Sequence, residues 1–185
     1  METKKRVVVT GRGVISPIGS SVSDYWEGLC NGVSGVRKIT EFDSSGASCQ
    51  IAGVVTDFDS DVHFSHREKK RYERFTQFGL VAALRAAEEA NLLDQDGDSG
   101  EIGVMMGTGV GGITSYAQAY DALYAGPEER PIDVYTIPRI MNSAVSSAIA
   151  IRLGIKGPNF TLNTACSSGG NAVGQAMQWI REGRL

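Results

Sequence analysis

The sequence predicts an α/β fold with a largely parallel sheet covered on both faces, from three observations. Short continuous apolar runs such as "RVVVT" and "IGVMM" have the pattern of strands buried on both sides. Stretches of helical period separate them. Glycine, at 23 of 185 residues, falls at the boundaries between runs and not in a low-complexity tract, so many tight turns are expected.

In chain order, residues 6–10 form a β-branched run ended by Gly11 and Gly13, which reads as a central strand. After "SPIGSS", Ser23 or Asp24 can cap a helix through "YWEGLCNG". Its inward face would carry Trp26, Leu29 and Cys30, and Gly32 would close it. Residues 36–39 and 50–55 read as short strands flanking a polar loop, and 58–71 as a mixed stretch. Residues 74–90 place Phe75, Phe78, Val81, Ala82, Leu84 and Ala86 on one broad stripe, a helix packed on a sheet. The "DQDGDSG" turn leads to a strand at 102–106, which runs into "GTGVGG". A helix follows at 114–124, then an irregular crossing at 126–138. Residues 142–153 form a small-residue helix stopped at Gly154, 159–163 a strand, and 167–182 a helix with Val173, Met177 and Ile180 on one face.

An apolar content of 42% with 21% charge is that of a globular domain. The net charge of -3 argues against a nucleic-acid-binding face, which needs clustered Lys and Arg. The one basic cluster, 66–74 "HREKKRYER", contains two glutamates and reads as a solvated surface or as a docking patch for an acidic partner. Neither a signal-peptide core nor a membrane span of roughly 18 apolar residues is present. Three cysteines without a CxxC pair suggest neither a disulfide framework nor a zinc site, and two histidines cannot complete a metal site. A reduced, cytoplasmic setting is expected, without metal.

Two motifs could carry chemistry. Gly107, Gly109 and Gly112 match G-x-G-x-x-G between a strand and a helix, but no clean strand with a terminal acid follows. Glycines that let the chain turn sharply beside a pocket are the better reading. In "TLNTACSSGGNA", Cys166 stands between a strand and the start of a helix. Unpaired amides and the positive dipole end there favour thiolate and could donate to an oxyanion. A cysteine at such a turn can equally be a small packing residue, and the residues alone leave both readings open.

Six blocks in order, "VVVTGRGVISPIG", "WEGLCNGVSGV", "IAGVVTDFD", "RYERFTQFGLVAALRAAEEA", "IGVMMGTGVGG" and "LGIKGPNFTLNTACSSGGNAVGQAMQWIREG", resemble the N-terminal half of a β-ketoacyl synthase of the thiolase superfamily. The resemblance runs essentially end to end, over 1–185. It implies half of a layered αβαβα fold whose C-terminal half is supplied elsewhere. It also implies that Cys166 accepts an acyl group from the phosphopantetheine of acyl carrier protein. Decarboxylative condensation with malonyl carrier protein in fatty acid elongation, or in a polyketide-type pathway, would follow, and no bound cofactor is expected. A noncatalytic subunit that binds the carrier protein is the alternative. By the same resemblance Val110 and Ala165 border the acyl pocket, and Thr136, Ile137 and Met141 approach the pocket of a partner subunit. The strand at 159–163 would pair across the two-fold axis of a homodimer. The family's two catalytic histidines and lysine have no counterpart here, because His63 and His66 lie in an unrelated polar stretch expected at the surface.

Overall fold

The computed structural model describes residues 5–92, 100–125 and 132–185. At its centre β3 (Val104–Gly107) runs parallel to β4 (Asn159–Leu162), registered from Val104 opposite Asn159 to Gly107 opposite Leu162. Alternation along these strands decides the layers. Val104 and Met106 join a core cluster with Val145, Ala148 and Ile149 of α7 (Ala144–Leu153) and with Leu80 and Val81 of α4 (Arg74–Glu89). Met105 faces the opposite way, toward Ala172, Val173 and Met177 of α8 (Ser168–Arg181). Phe160 meets Trp179 of α8 edge to face at 5.1 Å, while Thr161 Oγ1 lies 3.0 Å from Ser146 Oγ of α7. The parallel pair is therefore covered on both faces, as the sequence predicts.

Helix α4 is the innermost element, with Thr76 and Leu80 fully buried. Its backbone is approached so closely by the preceding segment that a Cβ at Gly11 or Gly13 would collide with the carbonyls of Ala86 or Ala82. Arg12 pairs with Glu89, and Arg85 reaches back to the carbonyls of Val14 and Ser20. Residues 6–10, expected as a central strand, are paired to no strand among the described residues, and Val9 is 79% exposed. Here the run edges an apolar trough of about 720 Å³ shared with β3 and α8.

The helix α1 (Val22–Cys30) is capped by Ser21, whose hydroxyl accepts from the Asp24 amide at 3.0 Å, rather than by Ser23 or Asp24. Its inward face is also not the one expected. Gly28 is buried against Ile18, while Trp26, Leu29 and Cys30 face outward, because the close approach needs the residue without a side chain. The short strands β1 (Val36–Lys38) and β2 (Ile51–Gly53) pair antiparallel.

The mixed stretch resolves into α2 (Ser60–His63) and α3 (His66–Arg71). Ser65 and Glu68 form a capping box, and Arg152 of α7 pairs with the same carboxylate. Hydrogen bonds from the Ser65 amide and hydroxyl, with Arg152 adding to them, hold the Glu68 carboxyl below its ordinary range. The remaining helices are α5 (Ile113–Ala125) and α6 (Thr136–Ile140). The irregular crossing expected at 126–138 lies partly outside the described residues, and its last part is helical. Gly154 ends α7 at φ 68°, the left-handed stop its sequence signals.

Replacing Leu80 with Ala is expected to cost about 2–5 kcal/mol in urea denaturation, whereas Leu29→Ala on the outward face of α1 should stay within about 0.5 kcal/mol. Because the folded-state pKa of Glu68 is depressed, its stabilising contribution is present above the unfolded value and disappears as the pH falls through the folded one. The thermal midpoint of the native chain should therefore exceed that of Glu68→Gln at about pH 6, with the difference closing toward about pH 3.

Candidate active site

The two parallel strands end level with each other, and the chain leaves both at the same edge. After β4, residues 163–167 make a tight elbow into α8. Ala165 lies at its apex with φ 52°, a left-handed conformation that costs a non-glycine residue of order 1–2 kcal/mol. Cys166 follows, exposed, immediately before the helix-capping residue Ser167.

A set of neutral hydrogen bonds over-determines this strained geometry. The Ser168 hydroxyl, 2% exposed, accepts from the Thr164 amide at 2.8 Å. Its single proton goes to the Ala165 carbonyl at 2.7 Å, with the Thr108 carbonyl at 3.2 Å as a second acceptor. The Ser168 amide donates to the same Ala165 carbonyl at 3.1 Å. Ser167 Oγ donates to the Thr164 carbonyl at 2.7 Å, and Asn171 Nδ2 to the Thr164 hydroxyl at 2.7 Å. Among the described residues the Cys166 amide has no acceptor of its own. Beside an exposed thiol at a helix start, that amide can donate to an oxyanion.

The glycine turn after β3 forms the other wall. A Cβ at Gly107 would collide with the Ser168 backbone, so glycine lets the start of α8 lie against the strand end. Thr108 donates its amide to the Leu162 carbonyl at 3.1 Å, and Asn163 Nδ2 donates to the Gly109 carbonyl at 3.0 Å. A Cβ at Gly109 would lie 3.7 Å from the Ala165 carbonyl oxygen. Nucleotide binding does not fit here: the amide of Ser115, in the first turn of α5, is already taken by Glu73 Oε1 at 2.9 Å, a carboxylate where a phosphate would sit.

Cys166, Ala165 and the turn bearing Val110 are thus brought together. Thr136, Ile137 and Met141 are not. Thr136 borders a cleft with Ser115 and Gln118 of α5, Met141 borders another with Tyr72 and Ser147, and Ile137 is exposed. His63 stacks on Phe58 at 5.4 Å and His66 starts α3 in an exposed position, so neither belongs to the elbow. Cys30, expected in the core, is exposed like Cys49 and Cys166. The sequence reading gave no role to the side chains of Thr108, Asn163, Thr164 and Ser168, whose signal was four short polar residues where two strands end and a helix begins.

Parallel strand ends, a strained turn and an exposed thiol ahead of a helix place the chain among the α/β proteins that gather a site at one edge of a parallel sheet. The family is shown by comparison. Residues 4–185 match the β-ketoacyl synthase N-terminal domain, and the chain belongs to that family. It is 40% identical to a 3-oxoacyl-[acyl-carrier-protein] synthase 2 of Synechocystis over 97% of this chain and 43% of the relative. It is 37% identical to the protein of the same name from Staphylococcus aureus over 99% of this chain and 44% of the relative. The ishigamide ketosynthase/chain length factor superposes with a TM-score of 0.89 at 34% identity, covering 99% of this chain and 46% of that one. A type II polyketide ketosynthase in complex with its acyl-carrier protein has the same fold, with a TM-score of 0.79 at 23% identity, covering 97% of this chain and 48% of that one. The chain spans less than half the length of these relatives. Its architecture is thiolase-like, as the sequence predicts.

Replacing Ser168 with Ala orphans the Thr164 amide and is expected to cost about 1–3 kcal/mol in urea denaturation, against less than about 1 kcal/mol for the exposed neighbour Ser167→Ala.

Proposed function

We propose that the chain is the nucleophile-bearing half of a 3-oxoacyl-[acyl-carrier-protein] synthase, with Cys166 as the acyl acceptor. One observation carries the reading: the only cysteine at the elbow is exposed beside an amide with no acceptor among the described residues, at a turn whose strain is held by surrounding hydroxyls.

In the first step the Cys166 thiolate attacks the thioester carbonyl of acyl-phosphopantetheine on the carrier protein. The C–S bond to Cys166 forms, the oxyanion collapses, the C–S bond to pantetheine breaks, and the departing pantetheine thiolate takes up the proton that Cys166 gave up on ionising. In the second, the carboxylate–carbon bond of malonyl carrier protein breaks with release of carbon dioxide. The resulting carbanion attacks the Cys166 thioester and expels the thiolate, giving a 3-oxoacyl product two carbons longer. The Cys166 amide supplies part of the oxyanion hole in both steps. The groups that assist decarboxylation, two histidines and a lysine in the resemblance, are assigned to the C-terminal half of the synthase. Acyl transfer is thus the work of these 185 residues, and condensation needs that second half.

The carrier protein is the proposed partner, with the exposed cations of α3, Arg67, Lys70 and Arg71, as the surface for an acidic protein. Homodimer formation through the strand at 159–163 is supported by β4, which pairs only with β3 among the described residues. Thr136, Ile137 and Met141 would then reach the partner subunit's acyl pocket. No described helix is long and apolar enough to cross a membrane, and three unpaired thiols support a cytoplasmic setting. A polyketide-type role is the second reading, favoured by the likeness to the ishigamide ketosynthase/chain length factor. A noncatalytic subunit is disfavoured because it would not need to keep the cysteine.

Since Cys30, Cys49 and Cys166 are all exposed, access alone does not distinguish them. Treatment with a limiting cysteine-directed electrophile and peptide mass mapping should place the adduct on Cys166 at least about tenfold ahead of the other two, whose thiols lack an elbow of this kind. Cys166→Ala should lose that adduct and keep the circular dichroism spectrum. Equal labelling of all three would sink the reading.

A further inference from the structure

We infer that Glu73 is a positioning residue for the acyl chain, setting the wall of the site that carries Val110. The inference rests on the reading of Cys166 as the acyl acceptor.

Glu73 is the residue before α4, yet its side chain makes no capping bond to its own helix. It crosses instead to α5, where Oε1 accepts from the Ser115 amide across 42 residues of sequence. A carboxylate at that position satisfies one of the orphan amides of the first turn and meets the positive end of the helix dipole. The other oxygen, Oε2, is buried without a hydrogen-bond partner. It lies against Gly112, where a Cβ would collide with both Oε2 and the Arg139 carbonyl oxygen. The Cα hydrogen of Gly112 is the contact available to that oxygen, a weak but favourable one. The last glycine of "GTGVGG" therefore admits a carboxylate.

The turn has two anchors with different owners. Its near end, Gly107 to Gly109, is tied to the cysteine elbow through Asn163 and Ser168. Its far end, Gly111 and Gly112, is held between Glu73 and the backbone of α6, with the Gly112 amide directed at the Ile140 carbonyl at 3.4 Å. Val110 is carried between them, 63% exposed. Because Glu73 is fixed to the rigid core helix, it determines where the far half of the turn rests. Loosening it leaves the thiol in place and shifts the surface along which an acyl chain would lie.

The test compares iodoacetamide with N-dodecyl iodoacetamide on the 185-residue chain, reading the rate of labelling at Cys166 by mass spectrometry. In Glu73→Ala the rate with the dodecyl reagent should fall about fivefold to tenfold relative to iodoacetamide, equivalent to losing contact with one or two methylene groups. Glu73→Gln, which keeps an oxygen for the Ser115 amide, should restore the native ratio. An unchanged ratio in a folded Glu73→Ala, or a Gln variant as impaired as Ala, overturns the inference. If the native chain shows no preference for Cys166, the reading of the cysteine fails first, and this inference falls with it. Hydrogen exchange on the native chain decides the case if Glu73→Ala does not fold. The Ser115 amide should be protected at least about tenfold over the amide of Thr114, and equal exchange would overturn the inference.

Discussion

The structure around Cys166 depends on one contact, the Ser168 hydroxyl seated where two parallel strands end. It can sit there because β3 finishes in Gly107, which offers no Cβ to the first turn of α8. With that space open, a single oxygen receives the Thr164 amide and sends its proton to the Ala165 carbonyl. Ala165 is thereby held in a left-handed conformation that an isolated chain would leave. The exposed thiol, the acceptor-free amide and the adjacent glycine turn all follow from this placement. Register matters for the same reason: with Gly107 opposite Leu162, a shift of one residue would turn Thr161 away from Ser146 and replace Gly107 with a side chain.

Much of this was legible before any coordinates. Helix α4 announced itself by a long apolar stripe, α7 by its Gly154 stop, and β4 and α8 by a strand pattern followed by small residues. The elements misread share a physical cause, which is that periodicity records apolar character but not what covers it. Residues 6–10 read as a central strand because they are β-branched, yet they pair with no described strand. In α1 the apolar positions Trp26, Leu29 and Cys30 outvoted Gly28, although only glycine allows the approach to Ile18. The helix α6 was read as irregular because of Pro138, which the first turn of a helix tolerates.

The site was less legible than the fold. Cys166 was singled out by its place between a strand and a helix start, and the acyl-acceptor role expected of it came from the resemblance to a family whose domain matches residues 4–185. The hydroxyls that shape the elbow were missed, since serine and threonine at strand ends usually signal only a turn. Glu73 was missed for a different reason. Its partner lies 42 residues away, and nothing local distinguishes it from Glu68, the other glutamate of the same basic cluster.

In the proposed function the chemistry is divided, with acyl acceptance on this chain and decarboxylation on the second half of the synthase. The measurement that tests it most directly is the intact mass of the 185-residue chain after incubation with an acyl-loaded carrier protein and malonyl carrier protein. The predicted result is a mass increase equal to one acyl group on Cys166, removable by hydroxylamine, without release of carbon dioxide or a 3-oxoacyl product. No hydroxylamine-labile adduct at Cys166, or 3-oxoacyl product formed by the chain alone, would contradict the account.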